Sequence, residues 1–125
     1  VKYTVSLKEN RLFRRLYARG RSAVAPTMVL YCRPNGRGEN RLGLTTGTKL
    51  GNAVVRNKVR RRLRAIYRTH EALLRPGFDI VIVARMQAVQ RPYAQMEEQF
   101  LRLAKKLRLT REETGGKAPK KEGAP

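Results

Sequence analysis

The sequence is short of almost everything that protein-only chemistry uses. It has one cysteine, Cys32, one histidine, His70, one aspartate, Asp79, and no tryptophan. A lone cysteine excludes an internal disulfide and fits a reducing compartment. With the lone histidine it cannot make a zinc site, which takes three or four protein ligands. A metal-dependent nuclease needs clustered carboxylates to hold its ions. Here the glutamates are scattered, and Glu97 and Glu98 point to different sides of a predicted helix. A metal-free ribonuclease needs a general acid and a general base. His70 stands alone, near a helix end that suits a surface cation. There is no phosphate-binding loop and no dinucleotide glycine pattern. No apolar run approaches the roughly 18 residues that cross a bilayer, and Ile80 to Ala84 is only strand-sized. The N-terminal residues carry no signal-like hydrophobic region. The expectation is a soluble cytoplasmic chain with no membrane partner, no obligate protein partner and no metal of its own.

Acids are scarce as well. Lys and Arg number 29 against 9 Asp and Glu, a net charge of +20. Such an excess repels itself in the compact state, so a polyanionic partner is expected. Arginine outnumbers lysine, and its planar donor fork and flat face favour nucleic acid. The 125 residues, 41% of them apolar, suffice for one domain. Residues 1–109 are expected to form it. Residues 110–125 (TREETGGKAPKKEGAP) have no large apolar side chain and are expected to be a disordered tail. The tail's four cations meet three acids, so nearly all of the net charge belongs to the folded part.

Hydrophobic spacing predicts the elements. A helix is expected over Glu9 to Arg19, with Leu12 and Leu16 as one pair, Phe13 and Tyr17 as a second, and Gly20 as its stop. Ser22 to Ala25 suggests a short strand. Thr27 to Arg33 alternates, with Met28, Leu30 and Cys32 on one face and Val29, Tyr31 and Arg33 on the other. Arg41 to Thr46 alternates again, with Leu42 and Leu44 set against Arg41, Gly43 and Thr45. Phe78 to Ala84 predicts a buried strand. Pro92 to Leu109 predicts a helix with the stripe Met96, Phe100, Leu103 and Leu107. These elements describe an α/β sandwich of one sheet and its covering helices.

The stretch GNAVVRNKVRRRLRAIYR, from Gly51 to Arg68, contains no acid. A loose polycation has no reason to repeat apolar residues, yet Val55, Val59, Leu63 and Ile66, with Tyr67, recur at helical spacing. A helix over about Ala53 to Thr69 follows, with Asn52 as its N-cap. Arg56, Arg60 and Arg64 then share one face, with Asn57, Arg61 and Arg68 beside them. Like charges at this spacing cost a few tenths of a kcal/mol per pair. A merely solvated face mixes both signs, so this one is read as an RNA-binding face. Arg62 lies on another side and is assigned no defined contact.

The run from Lys49 to Arg64, KLGNAVVRNKVRRRLR, resembles the signature of the bacterial ribonuclease P protein subunit. The family's helix reads Arg-Asn-Arg/Lys after a Gly-Asn-Ala-Val entry, and Lys58 fills the third position here. The resemblance extends from Ser6 to Leu107. It takes in the Leu-Lys-x-Asn-x-x-Phe opening, the Leu-Gly-Leu strand and the Phe-Asp-Ile-Val-Ile-Val-Ala-Arg strand, with Met28 where the family often has Phe. The resemblance implies an αβββαβα fold like the second domain of a small-subunit ribosomal protein, with a left-handed β-α-β crossover. It implies two partners: the catalytic RNA, bound by Arg56, Asn57, Lys58, Arg60, Arg61, Arg64 and Arg68, and precursor tRNA. The 5′ leader of the precursor would lie in a cleft of Phe13, Tyr17 and Tyr31. By their own placement, Gly43 would let the RNA backbone approach, Arg41 and Thr45 would reach its phosphates, and Arg33 would join the cleft on the strand face of Tyr31. Catalysis, with Mg²⁺ bound mainly by the RNA subunit, would lie outside this chain. The residues alone leave open core packing for the aromatics, and a ribosomal protein or general RNA chaperone for the whole.

Overall fold

Residues 4–111 are described by the structure, a computed structural model. Five strands form one sheet: β1 (Thr4–Ser6), β2 (Arg21–Val24), β3 (Met28–Pro34), β4 (Asn40–Thr45) and β5 (Phe78–Ala84). Three helices cover it: α1 (Asn10–Arg19), α2 (Ala53–His70) and α3 (Tyr93–Lys106). The strand order is β1-β4-β5-β3-β2. β4 runs parallel to both β1 and β5, while β3 is antiparallel to β5 and to β2. The parallel neighbours β4 and β5 are joined through α2, which is the β-α-β crossover.

The central strand, β5, explains the two layers. Its sequence FDIVIVA is apolar on both faces, as a strand covered on both sides must be. Ile80 and Ile82 join Met28, Leu30 and Cys32 of β3 in the main core. Val59, Leu63, Ile66 and Tyr67 of α2 and Met96, Phe100 and Leu103 of α3 cover that face. Val81 points the other way, into a smaller core with Leu7, Leu12 and Leu16. α1 therefore lies alone on one face, and α2 and α3 share the other.

The expected sandwich is present, with one strand more than the αβββαβα order contains. β1 is three residues long, too short to show an alternation, and it is largely exposed, held at the sheet edge by pairing with β4. The Tyr67 hydroxyl reaches Thr4 Oγ1 at 2.8 Å and ties this strand to α2. α3 stops at Lys106 rather than Leu109. Arg108 adopts a left-handed conformation (φ 59°), and Leu107 and Leu109 turn back into the core. Thr110 bridges to Leu74, and the Arg111 N–H donates to the Leu73 carbonyl at 2.6 Å. The first two residues assigned to the tail thus lie against the domain. The remainder of the tail lies outside the described residues.

Candidate nucleic-acid interface

α2 begins where the sequence places it. The Asn52 side chain accepts from the Val55 N–H at 3.0 Å, which satisfies one of the free donors of the first turn. Gly51 before it sits at φ 143°, and a Cβ there would meet Val55 at 3.2 Å, so this entry requires glycine. Val59, Leu63, Ile66 and Tyr67 are buried, which fixes the rotation of the helix. At 100° per residue, Arg56, Arg60, Arg64, Asn57, Arg68 and Arg61 follow one another round its outer side. Asn57, Arg61, Arg64 and Arg68 are exposed.

One arginine of this face is held in place. Arg60 donates from Nη1 to Asn57 Oδ1 at 2.8 Å and from Nη2 to the buried Thr46 hydroxyl at 2.6 Å. Its fork is thereby ordered before any ligand arrives. Asn57, expected to meet RNA directly, gives its carbonyl oxygen to this task. Arg56 has its Nε buried without a partner. Lys58 lies about 120° round the helix from Arg64, towards Arg62 and away from the main row. Arg62 reaches the Arg91 carbonyl at 3.4 Å, across to the turn before α3.

The aromatic group assembles on the α1 face. The Phe13 and Tyr17 ring centroids are 6.5 Å apart, and Tyr17 meets Tyr31 edge-on at 4.9 Å. The Tyr17 hydroxyl lies 3.4 Å from Thr45 Oγ1. Phe13 and Tyr31 pack partly on the smaller core, whereas Tyr17 is 43% exposed. The core-packing and surface readings therefore each hold for part of the group.

Two arginines expected in this cleft have other surroundings, and Gly43, which lines it, lies under a ring. The Cβ side of Gly43 is filled by the chain itself. A Cβ there would lie 2.5 Å from Phe13 Cζ, so the close neighbour is that ring and not an RNA backbone. Arg41 is bound to Asp79 through two hydrogen bonds, from Nε at 2.6 Å and from Nη2 at 2.8 Å. This partner raises the pKa of the guanidinium still further. Arg33 is the register partner of Asp79 on the other side. Val81 lies beneath α1, with Asp79 and Val83 about 7 Å away in opposite directions along β5. Thr45 pairs with Val83 and the two arginines with Asp79. Arg33 and Arg41 thus share the sheet face of Tyr31 and Thr45; Tyr31 lies on the Val81 rung, with the two arginines on one side of it and Thr45 on the other.

A cleft of about 280 Å³ connects the two groups of residues. Its lining includes β1, Lys8, Phe13, Gly43, Arg60 and Arg64. The end of the aromatic row and the middle of the α2 arginine row therefore face one space. Lys8 is the lysine of the Leu-Lys-x-Asn-x-x-Phe opening, a motif that assigns it no role by itself.

The remaining polar chemistry is structural. His70 Nε2 lies 2.7 Å from Glu97 Oε2 and links the end of α2 to α3. Cys32 is buried, and burial pushes its thiol pKa up. Among the described residues no three His, Cys, Asp or Glu side chains gather into a group that could hold a metal ion. No helix among them is long and apolar enough to cross a membrane.

An α/β sandwich with an acid-free basic helix, and a cleft joining it to a row of aromatics, is an RNA-binding domain. Comparison with known proteins narrows the class. Residues 1–108 match the Ribonuclease P family, and the chain belongs to that family. The ribonuclease P protein component of Natranaerobius thermophilus is 38% identical over 105 residues, covering 84% of this chain and 91% of that one. That of Alkaliphilus metalliredigens is 36% identical over 103 residues, 82% and 93% of the two chains. The RNase P protein structure from Staphylococcus aureus superposes with a TM-score of 0.77 at 29% identity, covering 89% of this chain and all of that one. The Thermotoga maritima protein gives 0.71 at 30% identity, covering 78% and 92%.

Proposed function

We propose that this chain is the protein subunit of a ribonuclease P, a ribonucleoprotein that removes the 5′ leader of precursor tRNA by endonucleolytic cleavage. In this reading the outer face of α2 grips the catalytic RNA. Arg56, Arg60, Arg61, Arg64 and Arg68 supply phosphate forks, Asn57 orients Arg60, and Lys58 acts at the margin. Phe13, Tyr17 and Tyr31 take unpaired leader bases on their faces. Such stacking is tolerant of sequence, as variable leaders require.

The observation that carries the reading is the shared cleft lined by Phe13, Arg60 and Arg64. A strand lying there meets the aromatic flank of α1 and the cations of α2 together. That suits a protein that holds a substrate RNA against a catalytic one. Bond cleavage is assigned to the RNA subunit. On this chain the sole aspartate is occupied by Arg41, and the sole histidine by Glu97. Mg²⁺ is assigned to the RNA too, because among the described residues no carboxylates gather into a group that fits it.

Reconstitution with ribonuclease P RNA at low Mg²⁺ tests the proposal. Stimulated cleavage of precursor tRNA is the expected result, and no stimulation overturns it. Tyr31→Ala should reduce the preference for long leaders. An equal loss on leaderless RNA would place Tyr31 outside the leader site. A ribosomal protein or a general chaperone would show no leader dependence in the same assay.

A further inference from the structure

α1 has two flanks of different chemistry. Phe13 and Tyr17 form one. On the other side of the Leu12–Leu16 stripe, Arg11, Arg15 and Arg19 recur at i, i+4 and i+8, all exposed. Glu9 binds Arg11 at 2.7 Å, while Arg15 and Arg19 have no ion-pair partner among the described residues. This flank faces the end of the sheet where Arg33, Asp79 and Arg41 lie side by side on β3, β5 and β4. Asp79 is already saturated there by Arg41 and by Asn35, whose amide donates to it at 3.1 Å. Arg33 is left with its Nη1 buried and unpartnered. A charged donor in that state costs free energy until an acceptor arrives.

The two ends of α1 fix its arginines against those of the sheet. At the C-terminal end, Gly20 approaches so closely that a Cβ would lie 3.0 Å from the Cys32 carbonyl. With Arg21 paired to Cys32, that contact brings the end of α1, at Arg19, to the strand that carries Arg33. At the N-terminal end, the Leu7 N–H donates to the Leu42 carbonyl at 2.8 Å, which holds the entry to α1 beside the strand that carries Arg41. The result is a cationic strip along α1 with its two acids already bound and no aromatic ring among its arginines. It differs from the aromatic cleft in the one respect that matters for single strands: it can hold phosphates but offers no face for bases.

We propose that this strip holds the phosphates of the distal 5′ leader after the strand has crossed α1 from the aromatic cleft. The inference rests on the reading that the proximal leader lies against Phe13, Tyr17 and Tyr31. Continuity favours the leader over the catalytic RNA. Both flanks belong to one helix, about 10–12 Å across with its side chains, which a few extended nucleotides span. The α2 row packs on the other face of the sheet and meets the α1 side at the Lys8–Phe13 cleft, on the far side of Phe13 from Arg15 and Arg19.

The test is the affinity of the reconstituted holoenzyme for precursor tRNAs whose leaders grow from none to well beyond the cleft. Wild type should gain affinity past the length that the cleft covers. Arg15→Ala/Arg19→Ala should leave short-leader affinity unchanged and lose roughly tenfold on long leaders. Its salt slope on those leaders should fall by about 1.4, the value for two lost phosphate contacts on a single strand. Arg15→Lys/Arg19→Lys should restore most of the loss, because both charges return. Unaltered long-leader affinity in the alanine variant overturns the inference alone. So does an equal loss on leaderless RNA, which would assign the strip to another RNA segment. A wild-type holoenzyme with no leader dependence at all overturns the parent reading and the inference together.

Discussion

A methyl group at Gly43 would lie 2.5 Å from Phe13 Cζ and 2.7 Å from Cε1, well inside contact distance. The ring would have to leave the sheet, and with it the aromatic end of the cleft. Gly43→Ala should therefore lower stability by about 1–3 kcal/mol, the usual range for overpacking, read by urea denaturation. The same variant should lose leader preference while keeping its affinity for the catalytic RNA. The sequence shows that something approaches Gly43 closely, since glycine within a strand signals this. It does not show what, because Phe13 is thirty residues away and the signal is the same for a ligand or a ring. Asp79 is a similar case. Its uniqueness is visible, but its two strand neighbours, Arg33 and Arg41, follow only from a register that no local pattern specifies.

At the scale of the element, α2 was the most legible part of the chain. Eighteen residues give several turns over which apolar spacing can be counted, so the buried stripe and the basic face both follow from sequence. Arg60 is the residue of that face best prepared for a ligand, being held by Asn57 and Thr46. Arg60→Ala should weaken catalytic-RNA binding by about 1–3 kcal/mol if it makes a charge-assisted contact. Lys58→Ala, displaced round the helix from the main row, should cost less than about 1 kcal/mol, near the value of an exposed ion pair. Filter binding of both variants to ribonuclease P RNA separates them, and equal losses would remove the distinction. β1 is the opposite case. Three residues cannot display a period of two, so the strand is not legible, and Lys8, though part of the Leu-Lys-x-Asn-x-x-Phe opening, gives no sign that it lines a cleft. The cleft uniting the two binding groups was hidden with them.

For the molecule as a whole, the sequence pattern identifies four of the five strands and all three α-helices found among the described residues. Strand order is a long-range property. Family resemblance, and not periodicity, carried the arrangement of elements. The charge has a similar division. The excess is visible in the composition, but its separation into a row on α2 and a strip on α1, on opposite layers, depends on the fold. The sheet also fixes where the chain enters and leaves. Thr4 is the register partner of Asn40, whose amide donates to the Arg75 carbonyl at 3.1 Å. The Arg75 N–H in turn donates to the Leu109 carbonyl at 2.7 Å, and Thr110 bridges to Leu74. The first and last described residues are thus stitched to the same corner. Connectivity can then be separated from architecture. A circular permutant that joins Arg111 to Thr4 through a short flexible linker, and opens at the Asn35–Gly38 turn, should fold and bind RNA like the parent. Its new ends would emerge at the turn between β3 and β4.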